Sequence, residues 1–141
     1  MNRKISVNEP LFDKNEINIV QEIIQSGHLS SSNLYGGKYV KIFEKQIAQF
    51  LDVKYAVAIN SGTSALYASL LSLNIKSGDE VIIPPLTVIS NADVILAQNA
   101  TPVFADIDPD TFNINPEDIE RKITNKTKAI MPVSLYGLCA D

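Results

Sequence analysis

Residues 55–83 read YAVAINSGTSALYASLLSLNIKSGDEVII, and their pattern decides the class of fold. Tyr55, Ala56, Val57, Ala58 and Ile59 form a short apolar run of the kind that builds a buried strand. From Ser61 onward the spacing changes. Leu66, Leu70 and Leu73 recur at three and four residues, which is one face of a helix, and Ser61 stands where a helix cap is expected. Gly78-Asp79 then turns the chain into a second apolar run, Glu80-Val81-Ile82-Ile83, which Pro84-Pro85 stops. Strand, helix, strand with no hairpin turn between them predicts a βαβ unit with parallel strands.

The alternation continues toward the C-terminus. Residues 88–98 predict a helix, and Pro102-Val103-Phe104-Ala105 a strand. Asn115 caps and Pro116 opens a helix carrying Ile119 and Ile123. Residues 128–133 predict a further strand. Together these predict an α/β fold: a mostly parallel sheet covered on both faces, part of a three-layer sandwich. The last strand runs into Leu135-Tyr136-Gly137-Leu138-Cys139-Ala140-Asp141 with no helix behind it. A parallel strand is normally followed by a helix that packs back on the sheet, so the expectation is an incomplete domain. The alternative is a small complete domain with a loop tail. Toward the N-terminus, Asp13 followed by Glu16 predicts a helix start, and Ile17, Val20, Ile23 and Ile24 share one face. Gly27 predicts its stop. A polar loop, residues 28–38, leads to a second amphipathic helix with Val40, Phe43, Ile47, Phe50 and Leu51 as its stripe. The expected division is a helical segment, residues 1–53, and an incomplete α/β domain, residues 54–141.

Composition narrows the function. In 141 residues, Lys and Arg total 12 against 16 Asp and Glu, a net charge of −4. That balance argues against a nucleic-acid partner, which needs a basic stripe, and against an anionic membrane surface. No apolar run approaches the about 18 residues that span a bilayer. Residues 1–7 carry no apolar stretch of the signal-peptide kind, and a single cysteine, Cys139, cannot form an internal disulfide. A cytoplasmic setting is expected. One histidine and one cysteine cannot build the usual zinc sites, and no metal is expected.

The strongest chemical signal is Asn60-Ser61-Gly62-Thr63-Ser64-Ala65-Leu66, where a buried strand gives way to a helix. Free N–H groups and the helix dipole at such a junction bind anions, phosphate above all. Gly62 permits close approach of the backbone, and Ser61, Thr63 and Ser64 add hydroxyls. Ser61 acting as a plain helix cap explains the same string. A dinucleotide site is excluded by the absence of G-x-G-x-x-G, and a P-loop by the absence of G-x-x-x-x-G-K-[ST]. The second signal, residues 84–91, follows a strand's C-terminal end, where α/β sheets bind ligands. Thr87, Ser90 and Asn91 are its polar members, and helix capping is their ordinary use. Asp106 and Asp108 read as a solvated turn before Pro109-Asp110 rather than as metal ligands. His28, Tyr35 and Tyr136 stand in loops, where a bystander or packing role competes with substrate contact.

The order of these pieces resembles the N-terminal part of the DegT/DnrJ/EryC1/StrS family, from about Pro10 onward. The resemblance rests on Gly37-Lys38-Tyr39-Val40, Ser61-Gly62-Thr63-Ser64-Ala65-Leu66 and Gly78-Asp79-Glu80-Val81-Ile82. It extends through residues 84–91, Pro102-Val103-Phe104, Asp106-Ile107-Asp108-Pro109, residues 123–130 and Leu135-Tyr136-Gly137. It implies the large domain of the aspartate-aminotransferase-like (type I) fold, and an enzyme using pyridoxal 5'-phosphate (PLP). By resemblance, Gly62, Thr63 and Ser64 hold the cofactor's phosphate. Val88 stands where the family places an aromatic ring against the cofactor ring, and Leu86 where an aromatic is frequent. Ser134 stands where the family often has histidine. The resemblance further implies amino transfer to a nucleotide-linked keto-sugar, with glutamate as donor, for surface polysaccharide or antibiotic sugars, in a homodimer. The family's Schiff-base lysine lies beyond Leu-Tyr-Gly, so no catalytic residue is assigned within these 141 residues, and the chain alone is expected to be inactive. Two other readings stand beside it: a non-catalytic remnant or interaction module, and a relative with altered PLP chemistry such as a sugar dehydratase.

Overall fold

The computed structural model describes residues 9–31 and 36–141, which form two compact units, Met1–Ala58 and Ile59–Asp141. The first holds two helices, α1 (Lys14–Ser26) and α2 (Lys38–Phe50). Asp13 caps α1 in a full capping box: its Oδ1 accepts from the Asn15 N–H at 2.6 Å, and Glu16 Oε2 accepts from the Asp13 N–H at 2.7 Å. Gly27 ends α1 in the left-handed conformation, φ 68°, which glycine adopts without penalty. The Tyr39 hydroxyl of α2 donates to Glu22 of α1 at 3.0 Å. Neither helix buries a residue, so the apolar stripes expected from the spacing are present but exposed within this unit.

The second unit runs α3 (Gly62–Ser72), β1 (Glu80–Ile83), α4 (Ser90–Leu96), β2 (Thr101–Phe104), α5 (Pro116–Lys122) and β3 (Thr127–Ile130), then a 3-10 turn at Leu135–Gly137. The three strands form one parallel sheet in the order β2-β1-β3. β1 is its centre, and Val81, Ile82 and Ile83 are completely buried. Burying each such side chain stabilises by about 1.5–3 kcal/mol over leaving it in water. Strand alternation sends them to opposite faces. Val81 and Ile83 join Leu70 of α3, Ile75, Val94 and Ile95 of α4, and Ala100. Ile82 joins Ala105 and Ile114, with Ile119 of α5 packed against them. The three expected layers are therefore present: α3 and α4, the sheet, and α5. The chain steps from β1 outward to β2, then returns across β1 to β3, so strand order reverses between β1 and β3.

Two local expectations are corrected. The strand expected at residues 55–59 is absent from the ladder among the described residues; the segment has no regular secondary structure, and Val57 is 76% exposed. Apolar alternation proposes a strand, but only a neighbour's backbone groups make one. The helix expected over residues 88–98 is shorter, Ser90–Leu96, and its N-cap position is Ile89, which offers no side-chain cap. Ser90 and Asn91 are thus inside the helix and do not cap it. Asn115 and Pro116 play their expected parts at α5, with Asn115 Oδ1 accepting from the Glu117 N–H at 2.8 Å.

Candidate functional site

α3 begins at Gly62 because Ser61 caps it. Ser61 Oγ accepts from the Ser64 N–H at 3.1 Å and donates to Ser64 Oγ at 3.0 Å, while the Ser61 carbonyl takes the Ala65 N–H at 3.0 Å. Two of the first turn's donors are thereby used. The Gly62 and Thr63 N–H groups donate to nothing among the described residues. Capping and anion binding are therefore compatible at this helix end: the cap occupies one set of donors and leaves the leading pair open.

Gly62 is informative for a second reason. Its backbone is not left-handed, and a methyl built on it meets no neighbouring atom within 4 Å. Neither conformation nor packing within the chain calls for glycine here.

Thr63 joins the two stretches that the sequence singled out separately. Its Oγ1 donates to Ser90 Oγ, the first residue of α4, at 3.0 Å. The start of α3 thus carries two hydroxyl pairs, Ser61 with Ser64 and Thr63 with Ser90 of α4. Sequence reasoning assigned Ser90 no place in them, because no local pattern signals a bond across 27 residues. Thr87 and Asn91 are satisfied by each other: Asn91 Nδ2 donates to Thr87 Oγ1 at 2.8 Å, and Asn91 is buried. Val88 lies on the loop between β1 and α4, two residues before Ser90, and is 61% exposed. Its side chain is free to meet a ligand. The loop leaves the C-terminal end of β1, beside the strand-order reversal, where open α/β sheets hold ligands.

The acidic candidates are structural. Asp108 Oδ1 accepts from the Thr111 N–H, the Thr111 hydroxyl and the Asp110 N–H, which in that order hold its carboxyl below the ordinary value of 3.8. This is the turn expected at that position. Asp118 of α5 is buried at its carboxylate. It accepts the Asp106 N–H at 2.7 Å and pairs with Arg121 at 3.0 Å, and the Asp106 bond leads in lowering its carboxyl below 3.8. No group of acids, His and Cys among the described residues is arranged to hold a metal. Tyr35 and part of the residue 28–38 loop lie outside the described residues. Two cavities, about 560 and 740 Å³, lie in the first unit, the second lined by His28 and Lys38. Neither contains Gly62, Thr63, Ser64 or Val88. The helix-end cluster is an open surface, not an enclosed cavity. No helix among the described residues is long and apolar enough to cross a membrane.

Residues 10–141 match the model of the DegT/DnrJ/EryC1/StrS aminotransferase family. The chain is 42% identical over 137 residues to GDP-perosamine synthase of Vibrio cholerae, covering 97% of this chain and 36% of that one. It is 47% identical over 132 residues to the spore coat polysaccharide biosynthesis protein SpsC of Bacillus subtilis, covering 94% and 33%. Among solved structures, an aminotransferase from Psychrobacter cryohalolentis superposes with a TM-score of 0.84 at 39% identity, covering 92% of this chain and 32% of that one. NtdA of Bacillus subtilis with bound cofactor PMP superposes at 0.82 and 37%, covering 99% and 33%. The chain spans about a third of the length of the relatives it matches.

Proposed function

Because the chain belongs to the DegT/DnrJ/EryC1/StrS aminotransferase family, we propose that it forms the phosphate-holding third of a PLP-dependent enzyme that aminates a nucleotide-linked keto-sugar. The observation that carries this is the start of α3. There two unused N–H groups, a glycine that nothing in the chain requires, and four hydroxyls surround one helix end. That donor set fits a phosphate group. The Gly62 and Thr63 N–H groups donate to its oxygens, Ser64 Oγ adds a donor, and the helix dipole favours the charge. Thr63 also ties the cup to α4, which fixes Ser90 at its rim. Val88, exposed on the loop that precedes α4, would pack against the cofactor ring. When bound, PLP supplies the electron sink for moving an amino group. The relatives' names support a sugar substrate in surface-glycan synthesis. Glutamate as amino donor, a homodimer and a cytoplasmic setting complete the proposal.

The test is PLP titration by absorbance in the complete protein, with Thr63→Ala and Ser64→Ala combined. Charge-assisted hydrogen bonds contribute about 1.5–3 kcal/mol each, and the backbone donors remain. Ser64 Oγ is the side-chain donor removed from the phosphate, so affinity should fall roughly ten- to a hundredfold. Unchanged affinity, with the phosphate group still required, would make the Ser-Gly-Thr-Ser turn a plain cap and end this assignment.

A further inference from the structure

Asn113 lies in the connection that follows β2 and is 5% exposed. Its Oδ1 accepts from the Leu135 N–H at 3.1 Å. Its Nδ2 donates to the carbonyls of Leu138 and Cys139, both at 3.1 Å. All three bonds close on one segment, the turn that leaves β3. β2 and β3 are not neighbours, since β1 lies between them. Asn113 therefore ties the exits of the two outer strands across the end of the central one.

The turn so held is strained and bare. Tyr136 has φ 53° and ψ 22°, a left-handed conformation that a bulky side chain rarely adopts. Such strain persists only where the surroundings over-determine it, and it collects at ligand sites. Tyr136 is 94% exposed, so no packing within the chain accounts for it, and its hydroxyl has no partner among the described residues. The exits of β1 and β3 lie side by side at one edge of a parallel sheet. One carries Val88 and Ser90 and the other carries Tyr136. Strand order reverses between these two strands, and ligands bind in the crevice outside such a point.

We propose that Asn113 is a positioning residue whose clamp on the β3 exit presents Tyr136 to the sugar ring of the substrate. The inference rests on the function proposed above. A tyrosine suits a sugar: its face packs on the C–H side of the ring, and its hydroxyl exchanges hydrogen bonds with sugar hydroxyls. Asn113 touches no substrate and acts through the turn alone.

Steady-state kinetics of the complete protein with its keto-sugar nucleotide test this. Tyr136→Gly removes the ring but suits the left-handed backbone, so the turn survives. We expect KM for the sugar nucleotide to rise about tenfold, kcat to stay within about threefold, and the thermal midpoint not to fall. Asn113→Ala should raise the same KM, and adding it to Tyr136→Gly should change KM little further, because both act through one ring. A Tyr136→Gly variant with unchanged KM would overturn the inference. So would a fall in thermal midpoint without a KM effect, which would make the ring a packing element. Fully additive effects of the two substitutions would remove Asn113 from it. Failure of the parent protein to aminate any keto-sugar, with PLP binding and glutamate deamination intact, would instead overturn the substrate class proposed above and this inference with it.

Discussion

Gly62→Ala separates what the helix wants from what the ligand wants. Gly62 is the first residue of α3, its backbone is not left-handed, and a methyl there meets no neighbouring atom within 4 Å. Alanine is therefore sterically free in the protein without cofactor. Glycine in a helix costs about 0.5–1 kcal/mol relative to alanine, and the first turn sits at the low end of that range. In a protein of about 150–250 residues each kcal/mol moves the midpoint by about 2–4 °C, and in a longer one by less. The cofactor-free variant should melt no lower than the parent, and at most about 1–2 °C above it. Cofactor affinity should move the other way. The methyl stands where phosphate oxygens approach the Gly62 and Thr63 N–H groups, and losing one charge-assisted bond is worth about 1.5–3 kcal/mol. That is roughly a ten- to hundredfold weaker PLP affinity. Gly62→Val should weaken it further, since the branched chain covers more of the backbone. Melting without PLP and absorbance titration with PLP measure the two effects on one sample. A variant that is less stable without cofactor, or that binds PLP as tightly as the parent, would refute the idea that this glycine is kept for an external group.

Three other substitutions test separate links. Val88→Phe should tighten PLP binding by about 0.5–1.5 kcal/mol through ring stacking, read in the same titration, because the side chain is exposed and has room to grow. Ser61→Ala deletes the cap on Ser64 and should destabilise by about 0.5–2 kcal/mol in urea unfolding. Asp118 has its carboxyl held below 3.8 by the Asp106 N–H and Arg121, so its contribution is present above that pH and is lost as pH falls through the lowered folded value. Asp118→Asn should therefore lower the midpoint near neutral pH, and the gap to the parent should close below about pH 3.8.

The parts of this protein that were legible in its sequence are those whose physics is local. The Asp13 and Glu16 capping box, the Gly27 stop and the Asn115-Pro116 start each rest on bonds or conformations within four residues. The run Glu80–Ile83 reads as a short strand, and it is one, with Val81, Ile82 and Ile83 completely buried. The residue order from Gly37 to Gly137 was enough to place the chain in its family. Tertiary structure decided the rest, because the deciding contacts join residues far apart in sequence. Residues 55–59 have a strand's composition but no ladder partner among the described residues. Thr63 and Ser90 meet only because α3 packs on α4. Asn113 reaches Leu135, Leu138 and Cys139 only because β2 and β3 run parallel on either side of β1. Tyr136 takes a left-handed backbone that its residue type disfavours, in a turn whose flanking residues Leu135 and Leu138 are bonded to Asn113 of another loop. A cap is chosen by the residues beside it, whereas a clamp across a sheet exists only once the sheet has brought its loops to one edge.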